Sequence, residues 1–484
     1  MNLSIECINA FKDKGYKVPN YDIEKIRQNT KAKPTWLHMG AGNLFRAYPA
    51  VMAQNLIENG HMDTGVIMCE SYDEEVVTEY FDKCDNLSIN VTLNANGKID
   101  KEIVASITEC LFLGTHFEEV ENIFANPSLQ VVTFTITEKG YVVYTADKFI
   151  DIIAADVSTD LSNAKALIPN IIRLCISRFH KCNTPITLLS IDNCAPNGEK
   201  LRAAFMAVVK QYVENGFITD EELTYLETQV SFPVSMIDKI TPRPSDSIAA
   251  MLEEDGFSNM DTMATKKNTY IAPFTNAEKP EYLVVEDIFL NGRPPLEFEK
   301  VVFTDRETVD KAEQMKVCTC LNPAQTALAV FGCLLSHTSI SGEMEDPYLS
   351  KLVHMIALDE GMPVVQDPGV IDSNEFVKEV LEERLINKYI PDTPQRIACD
   401  TSQKMGIRFG GNVAKYYELG KVDELVAIPF TIAGWLRYLL GVNDMGEEFE
   451  ISPDPRAKEE KLQAKVAYIK LGDTNFDKQP LYDL

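Results

Sequence analysis

Histidine is scarce in this chain, six in 484 residues, and none stand in an H-x-x-x-H or H-E-x-x-H arrangement. That leaves out the helical two-histidine signature of zinc enzymes. The eleven cysteines are scattered and odd in number. Cys318 and Cys320 form a C-x-C pair without a second cluster, so we read no metal site and expect reduced thiols. No secretory signal pattern is seen, and the apolar runs look too short or too interrupted to span a bilayer. Positive charge is also short: 46 Lys and Arg against 73 Asp and Glu give a formal net charge of −27. Such a balance disfavours nucleic acid and anionic membrane partners. At long range it slightly disfavours anionic substrates too, although local arginines can override it. Low-complexity segments and internal repeats are absent. These absences together predict a soluble cytoplasmic chain, an enzyme by default.

What is present is a strong alternation. At this length more than one domain is expected. From Thr35 to about Ser190, strand-like runs (131–136, 186–191) alternate with amphipathic stretches such as 171–179, which predicts a parallel, doubly wound sheet. The stretch 268–303 is rich in proline and β-formers and predicts strands bridging two halves. From Arg306 onward the pattern is helical: 309–315, 323–335, 347–358, 374–385, 412–419 and 427–440. The boundary falls near Thr304. The predicted architecture is α/β: a Rossmann-type domain over 1–303 and a mainly helical domain over 304–484, with a site in the cleft between them.

The segment Trp36-Leu-His-Met-Gly40-Ala-Gly42-Asn43-Leu-Phe45-Arg46 reads as strand, tight glycine turn, helix, with helical spacing at Leu44, Ala47, Val51 and Leu56. Gly40 allows the turn, Gly42 admits a pyrophosphate close to the backbone, and the helix N-terminus offers N–H donors. The third glycine of the usual fingerprint is replaced by Phe45. A second apolar strand ends on Glu70, where an acid would hold an adenosine ribose. Asp73 is its rival, and a plain surface acid is the ordinary alternative.

In the second half, Lys316-Val-Cys-Thr-Cys-Leu-Asn322-Pro323-Ala-Gln325 carries chemistry. Asn322 is a good N-cap, Pro323 suits the first helical position, and Gln325 at the third completes a capping box. Lys316, just upstream of the positive helix end, has reason to titrate low and serve as a general base. From this segment alone the plainer reading, a solvated lysine before a well-capped helix, comes first. Other motifs sit at predicted strand ends: Thr135-Ile-Thr137-Glu138-Lys-Gly140, Asp192-Asn193-Cys-Ala-Pro-Asn197-Gly198, and Phe232-Pro-Val-Ser-Met-Ile-Asp238-Lys239. Glu286-Asp287 and Asn291-Gly-Arg293-Pro follow, and then Arg396-Ile-Ala-Cys-Asp400-Thr-Ser-Gln-Lys404. Each alone is an ordinary turn former or salt bridge; Arg396 and Asp400 in particular are expected to pair at i,i+4.

In combination and order these motifs resemble the polyol-specific long-chain dehydrogenases, the mannitol dehydrogenase family, over nearly the whole chain from Trp36 past Lys404. The resemblance implies zinc-independent, NAD- or NADP-dependent interconversion of a secondary alcohol of an open-chain polyol or aldonate with its ketone. It implies that Lys316 moves the alcohol proton and that Asn193 and Asn322 bind the reacting oxygen. Arg396 and Lys404 would contact substrate hydroxyls. The cofactor would rest on Gly40, Gly42, Asn43 and Arg46 and near Thr137, Glu138 and Asp238, with Glu70 favouring NAD. Two departures stand out: Gln325 occupies the place of the family's histidine, and Lys316 to Asn322 is one residue longer than the usual five, which a bulge or a looser turn at 318–320, or a shifted assignment, would absorb.

The expected activity is an NAD-dependent oxidoreductase. Among family members the motifs look closer to those that reduce fructuronate, with mannitol and fructose as the alternative substrate pair. A protein that binds cofactor with lost or weakened turnover is the alternative of another class. A uronate carboxylate would need a cation, for which Arg243, Lys239, Arg293 and Arg408 are candidates.

Overall fold

In the computed structural model, which describes residues 1–482, six apolar runs pair into one wholly parallel sheet. They are β1 (Trp36–Met39), β2 (Val66–Glu70), β3 (Ile107–Phe112), β4 (Val131–Phe134), β5 (Ile186–Ser190) and β6 (Val230–Ser231). The order is β6-β5-β4-β1-β2-β3, and β1 pairs with β2 on one side and β4 on the other. Successive strands run outward from β1 to one edge, then restart beside it with β4 and run to the other. This reversal is the doubly wound Rossmann order, and it opens a crevice beyond the C-terminal ends of β1 and β4. Strands β1, β4 and β5 are buried at every position, as expected of a parallel sheet covered on both faces. Helix α3 (Leu167–Lys181) and helix α4 (Asn197–Glu214) cover one face, placing Ile171, Ile172, Phe205 and Val208 against Leu37, Val132 and Leu188.

The helix expected after the glycine turn is broken. Helix α1 (Asn43–Ala47) stops at Tyr48, and α2 (Pro49–Glu58) restarts with proline at its first position. Pro49 has no N–H to continue α1, but at a helix start that missing donor costs nothing. The proline-rich stretch supplies β8 (Tyr282–Glu286) and β9 (Val302–Thr304), which join β7 (Ser235–Asp238) in a three-stranded sheet. A further four-stranded sheet gathers Tyr16–Lys17, Ile99–Val104, Ser88–Leu93 and Phe274–Ala277. All of these lie in the first of two compact units, Met1–Leu93 with Ile99–Val309; the second holds Asn94–Lys98 and the chain from Asp310 onward.

The second unit is mainly helical. Helix α5 (Arg306–Gln314) runs into a π-helical turn, Met315–Cys320, and then into α6 (Asn322–Leu335). Around α6 pack the short helix Pro394–Ile397, α7 (Thr401–Glu418) and α8 (Ala427–Tyr438). The continuous run Arg306–Leu335 is, by length and apolarity alone, able to cross a membrane, contrary to the sequence expectation. Most of that apolar window is buried inside the protein, the ordinary state of a core helix.

Candidate active site

The first unit's site is built at the C-terminal ends of β1, β2 and β4. Gly40 ends β1 with φ +112°, and a Cβ there would lie 2.4 Å from the Thr135 carbonyl oxygen, so the position accepts glycine alone. Its N–H donates to the Cys69 carbonyl at 2.9 Å. Gly42 is the N-cap of α1, and a Cβ there would meet open space; its freedom serves the approach of a ligand rather than internal packing. Phe45, in place of the third glycine, is fully buried and stacks on His38 of β1 with ring centroids 3.9 Å apart. His38 is held between the Thr133 and Thr135 hydroxyls at 2.7 and 2.8 Å, and burial drives its titration well below the usual histidine range. It is a neutral core histidine buttressing the turn from below, which the sequence reading did not single out.

Glu70 sits where it was expected, and its carboxylate does local work. Oε1 accepts N–H bonds from Ser71, Tyr72 and Asp73, and Oε2 accepts the Ala41 N–H at 3.1 Å. One acid thus clips the glycine turn to the end of β2, with lone-pair capacity left on Oε2. Asp73, the rival, is committed to the Thr265 hydroxyl at 2.6 Å. A cavity of about 820 Å³ opens here, lined by Gly40, Gly42, Glu70, Thr137, Tyr72 and Arg243 among others.

Asn43 and Arg46 line it as well, but Arg46 is 1% exposed and turned inward. It donates to the Ala272 carbonyl at 2.8 Å and to Asn43 Oδ1 at 2.8 Å, so it holds Asn43 in place from beneath. Thr137 has φ +63°, a strained value for a β-branched residue. Its N–H and that of Ile136 donate to the two Asp192 carboxylate oxygens, and the Tyr141 hydroxyl donates to the same group. Burial raises the Asp192 carboxyl against the lowering pull of these bonds. Asp192 is therefore the hub behind the lining residues Ile136 and Thr137, and the sequence reading saw it only as a neighbour of Asn193.

Asn193, next along, is exposed beyond the end of β5. Asn197 bonds the Asp192 carbonyl and Ser235, and Gly198 packs so tightly that a Cβ would lie 2.3 Å from the Pro233 carbonyl oxygen. Glu138 and Asp238 are not among the cavity's lining residues. Glu138 reaches out to Lys200 at 2.7 Å, and Asp238 ends β7, buried opposite Tyr282. Among the uronate-cation candidates, Lys239 is paired with Glu281, and Arg293 with Asp287 and Glu297.

In the second unit Lys316 lies inside the π-helical turn, 2% exposed, with Nζ 3.1 Å from Glu313 Oε2. The expected cap at Asn322 does not form. Leu321 is already right-handed helical, its N–H reaches back five residues to the Lys316 carbonyl, and Gln325 N–H bonds the Leu321 carbonyl. Asn322 is thus the first residue of α6 rather than its cap. The π turn accommodates one residue more than an α-helix would, which is where the extra residue between Lys316 and Asn322 is taken up. Asn322 and Gln325, three apart and both half-buried, share one face of α6.

Arg396 does not pair with Asp400. It bonds Asp392, four residues upstream, and its side chain is 65% exposed. Asp400 has φ +57° and precedes α7, so the helix needed for an i,i+4 pair is interrupted between them. Lys404 is half-buried, donating to the Ile397 and Cys399 carbonyls at 2.9 and 2.5 Å; burial and the neighbouring Arg408 charge hold it below its usual range. Arg408 donates through Nη1 to the Asn322 carbonyl at 3.3 Å and the Thr326 hydroxyl at 2.5 Å. Burial pulls it down to about 10, still charged at neutral pH. No group of three or more His, Cys, Asp or Glu suited to a metal ion occurs among the described residues.

A doubly wound sheet with a glycine-only turn, an acid at the end of β2 and a buried lysine on a helical second unit define a dinucleotide-dependent oxidoreductase. The family model described as the mannitol dehydrogenase Rossmann domain matches residues 34–298, and that of the mannitol dehydrogenase C-terminal domain matches 308–471. The chain belongs to the mannitol dehydrogenase family. It is 45% identical to a D-mannonate oxidoreductase of Thermotoga maritima, covering 98% of this chain and 89% of the relative. A mannitol dehydrogenase of Saccharomyces cerevisiae is 28% identical over 96% of this chain and 87% of its own. A crystal structure of D-sorbitol dehydrogenase in substrate-free form superposes with TM-score 0.80 at 25% identity, covering 93% of this chain and 88% of that one.

Proposed function

We propose that this chain is an NAD-dependent oxidoreductase that interconverts D-fructuronate with D-mannonate. The carrying observation is that a chain with a buried Lys316 and with Asn322 on the helix that follows is 45% identical, over 98% of its length, to a D-mannonate oxidoreductase. The mannitol relative stands much further off, at 28%.

The first unit fits a dinucleotide by its own geometry. The Gly40 turn excludes any side chain, Gly42 faces open space, and Glu70 Oε2 keeps acceptor capacity for a ribose hydroxyl. A 2′-phosphate would meet that carboxylate as a like charge, which favours NAD over NADP. When bound, the nicotinamide supplies or accepts the hydride. Lys316 gives a proton to the carbonyl oxygen in reduction and takes it from the alcohol in oxidation, a general acid–base role. Asn193 and Asn322 act as neutral amide donors to the same oxygen, stabilising negative charge as it develops. Gln325 adds a donor but cannot carry a proton. Cytoplasmic residence belongs to the same reading.

A second reading, cofactor binding with weakened turnover, is favoured by Gln325 alone. NADH oxidation followed with D-fructuronate, D-tagaturonate and D-fructose in parallel tests the choice. The expected outcome is turnover of D-fructuronate that falls by roughly 10²–10⁴-fold in Lys316→Ala while NADH still binds. NADH binding without turnover of any ketose would select the second reading instead.

A further inference from the structure

Helix α7 carries two cations one turn apart, Lys404 and Arg408, in a chain with 73 acidic residues and 46 basic ones. Like charges at i,i+4 repel and destabilise a helix, and partly buried cations ordinarily take a carboxylate partner. Neither does here, among the described residues. Lys404 donates to two backbone carbonyls, Ile397 and Cys399, which leaves one of its three N–H groups. Arg408 uses its Nη1 corner on the Asn322 carbonyl and the Thr326 hydroxyl. The Nε–Nη2 edge of the guanidinium, the edge that forks onto a carboxylate, carries no protein partner among the described residues, and its atoms are not among the fully buried ones left unsatisfied. Asp400 acts on Lys404 through its field without an ion pair.

The contrast with the other arginines is instructive. Arg178 is fully buried and spends its guanidinium on five backbone carbonyls. Arg396 is neutralised by Asp392, and Arg293 by Asp287 and Glu297. Arg408 keeps a charged edge open beside the first turn of α6, which bears Asn322 and Gln325.

We propose that Lys404 and the Nε–Nη2 edge of Arg408 form the subsite for the substrate's carboxylate, and so set the preference for an acid over a neutral ketose or polyol. This assignment rests on the keto-uronate reading above. Lys404 then acts as half of an anion clamp with Arg408, in place of a hydroxyl contact shared with the exposed Arg396.

The test compares kcat/KM for D-fructuronate and for its neutral methyl ester, in the full-length protein with NADH, for wild type, Arg408→Gln, Arg408→Lys and Lys404→Met. The expected result is that wild type prefers the acid and that Arg408→Gln and Lys404→Met each lose about 100-fold on it. On the ester they lose less than about 5-fold, while Arg408→Lys restores part of the acid preference by charge without the fork. Equal losses on both substrates would reduce Arg408 to a support for Asn322 and overturn the proposal. So would a wild type that turns over the ester as well as the acid. If wild type reduced neither, the functional reading would have failed first. Calorimetry of D-mannonate and D-mannitol on the NAD complex then decides the clamp: it stands if Arg408→Gln weakens mannonate alone, and falls if both or neither are weakened.

Discussion

At the residue scale, two side chains separate chemistry from architecture. Gln325 shares a face of α6 with Asn322. Gln325→His introduces a group that can carry a proton as well as donate a hydrogen bond. Turnover is expected to rise with NADH affinity unchanged; an unchanged kcat would show that the proton path runs through Lys316 alone. Glu343 is a structural counterpart. It is fully buried, neither carboxyl oxygen has a hydrogen-bond partner among the described residues, and burial pushes it up to about 9 from 4.5. Gly332 makes room for it, since a Cβ there would lie 1.8 Å from Glu343 Oε1. The folded chain keeps this proton while the unfolded chain releases it. Its contribution is therefore fully present below about pH 4.5 and lost progressively as pH rises through about 9. Glu343→Met removes that slope, and its Tm should exceed that of wild type by a margin that grows from pH 6 to pH 9, roughly 2–4 °C or more at the alkaline end. Parallel Tm curves for the two proteins would refute this account.

At the element scale, the loops after β4 and β5 are one structure. Asp192 ties Ile136, Thr137 and Tyr141 together and holds Thr137 in its strained conformation. Asp192→Ala leaves two backbone N–H groups without their acceptor and the Tyr141 hydroxyl with Ser190 alone, at a cost of about 2–4 kcal/mol. Because Thr137 lines the cavity, NADH affinity should fall about 10-fold along with Tm. A Tm loss with NADH affinity intact would detach the loop from cofactor binding. The same scale explains what was readable. Helices with long apolar periods were placed from sequence, because one stripe of each faces a core. The break at Pro49 was missed since apolar spacing continues across it at Val51 and Leu56. The cap at Asn322 was misread because Asn-Pro normally opens a helix, whereas here the preceding turn is already helical and widened by one residue. A local signal for helix start carries no record of what packs upstream.

At the scale of the whole molecule, the formal net charge of −27 opposes the approach of any anion. Salt screens that repulsion more than it screens a partly buried clamp. On D-fructuronate, kcat/KM should therefore rise about 2–5-fold between low and physiological ionic strength, while the value for a neutral ester stays flat. A fall with salt would mean that local cations govern the encounter as well as the bound state.

The parallel, doubly wound class was legible in the alternation of strand and helix patterns, and the glycine turn and the acid that ends β2 in short-range chemistry; the order of the strands was not. Gly40 is required by its own φ and by one close carbonyl, and Glu70 ends its strand wherever the sheet lies. What the tertiary structure alone decided was the choice of partners. Arg396 had acids on either side and took Asp392; Arg46 turned inward to Asn43 and Ala272; Arg408 reached the first turn of α6. Spacing restricts which charges can meet along one helix, but contacts across elements 82 to 226 residues apart are set by packing, and packing is a property of the folded whole.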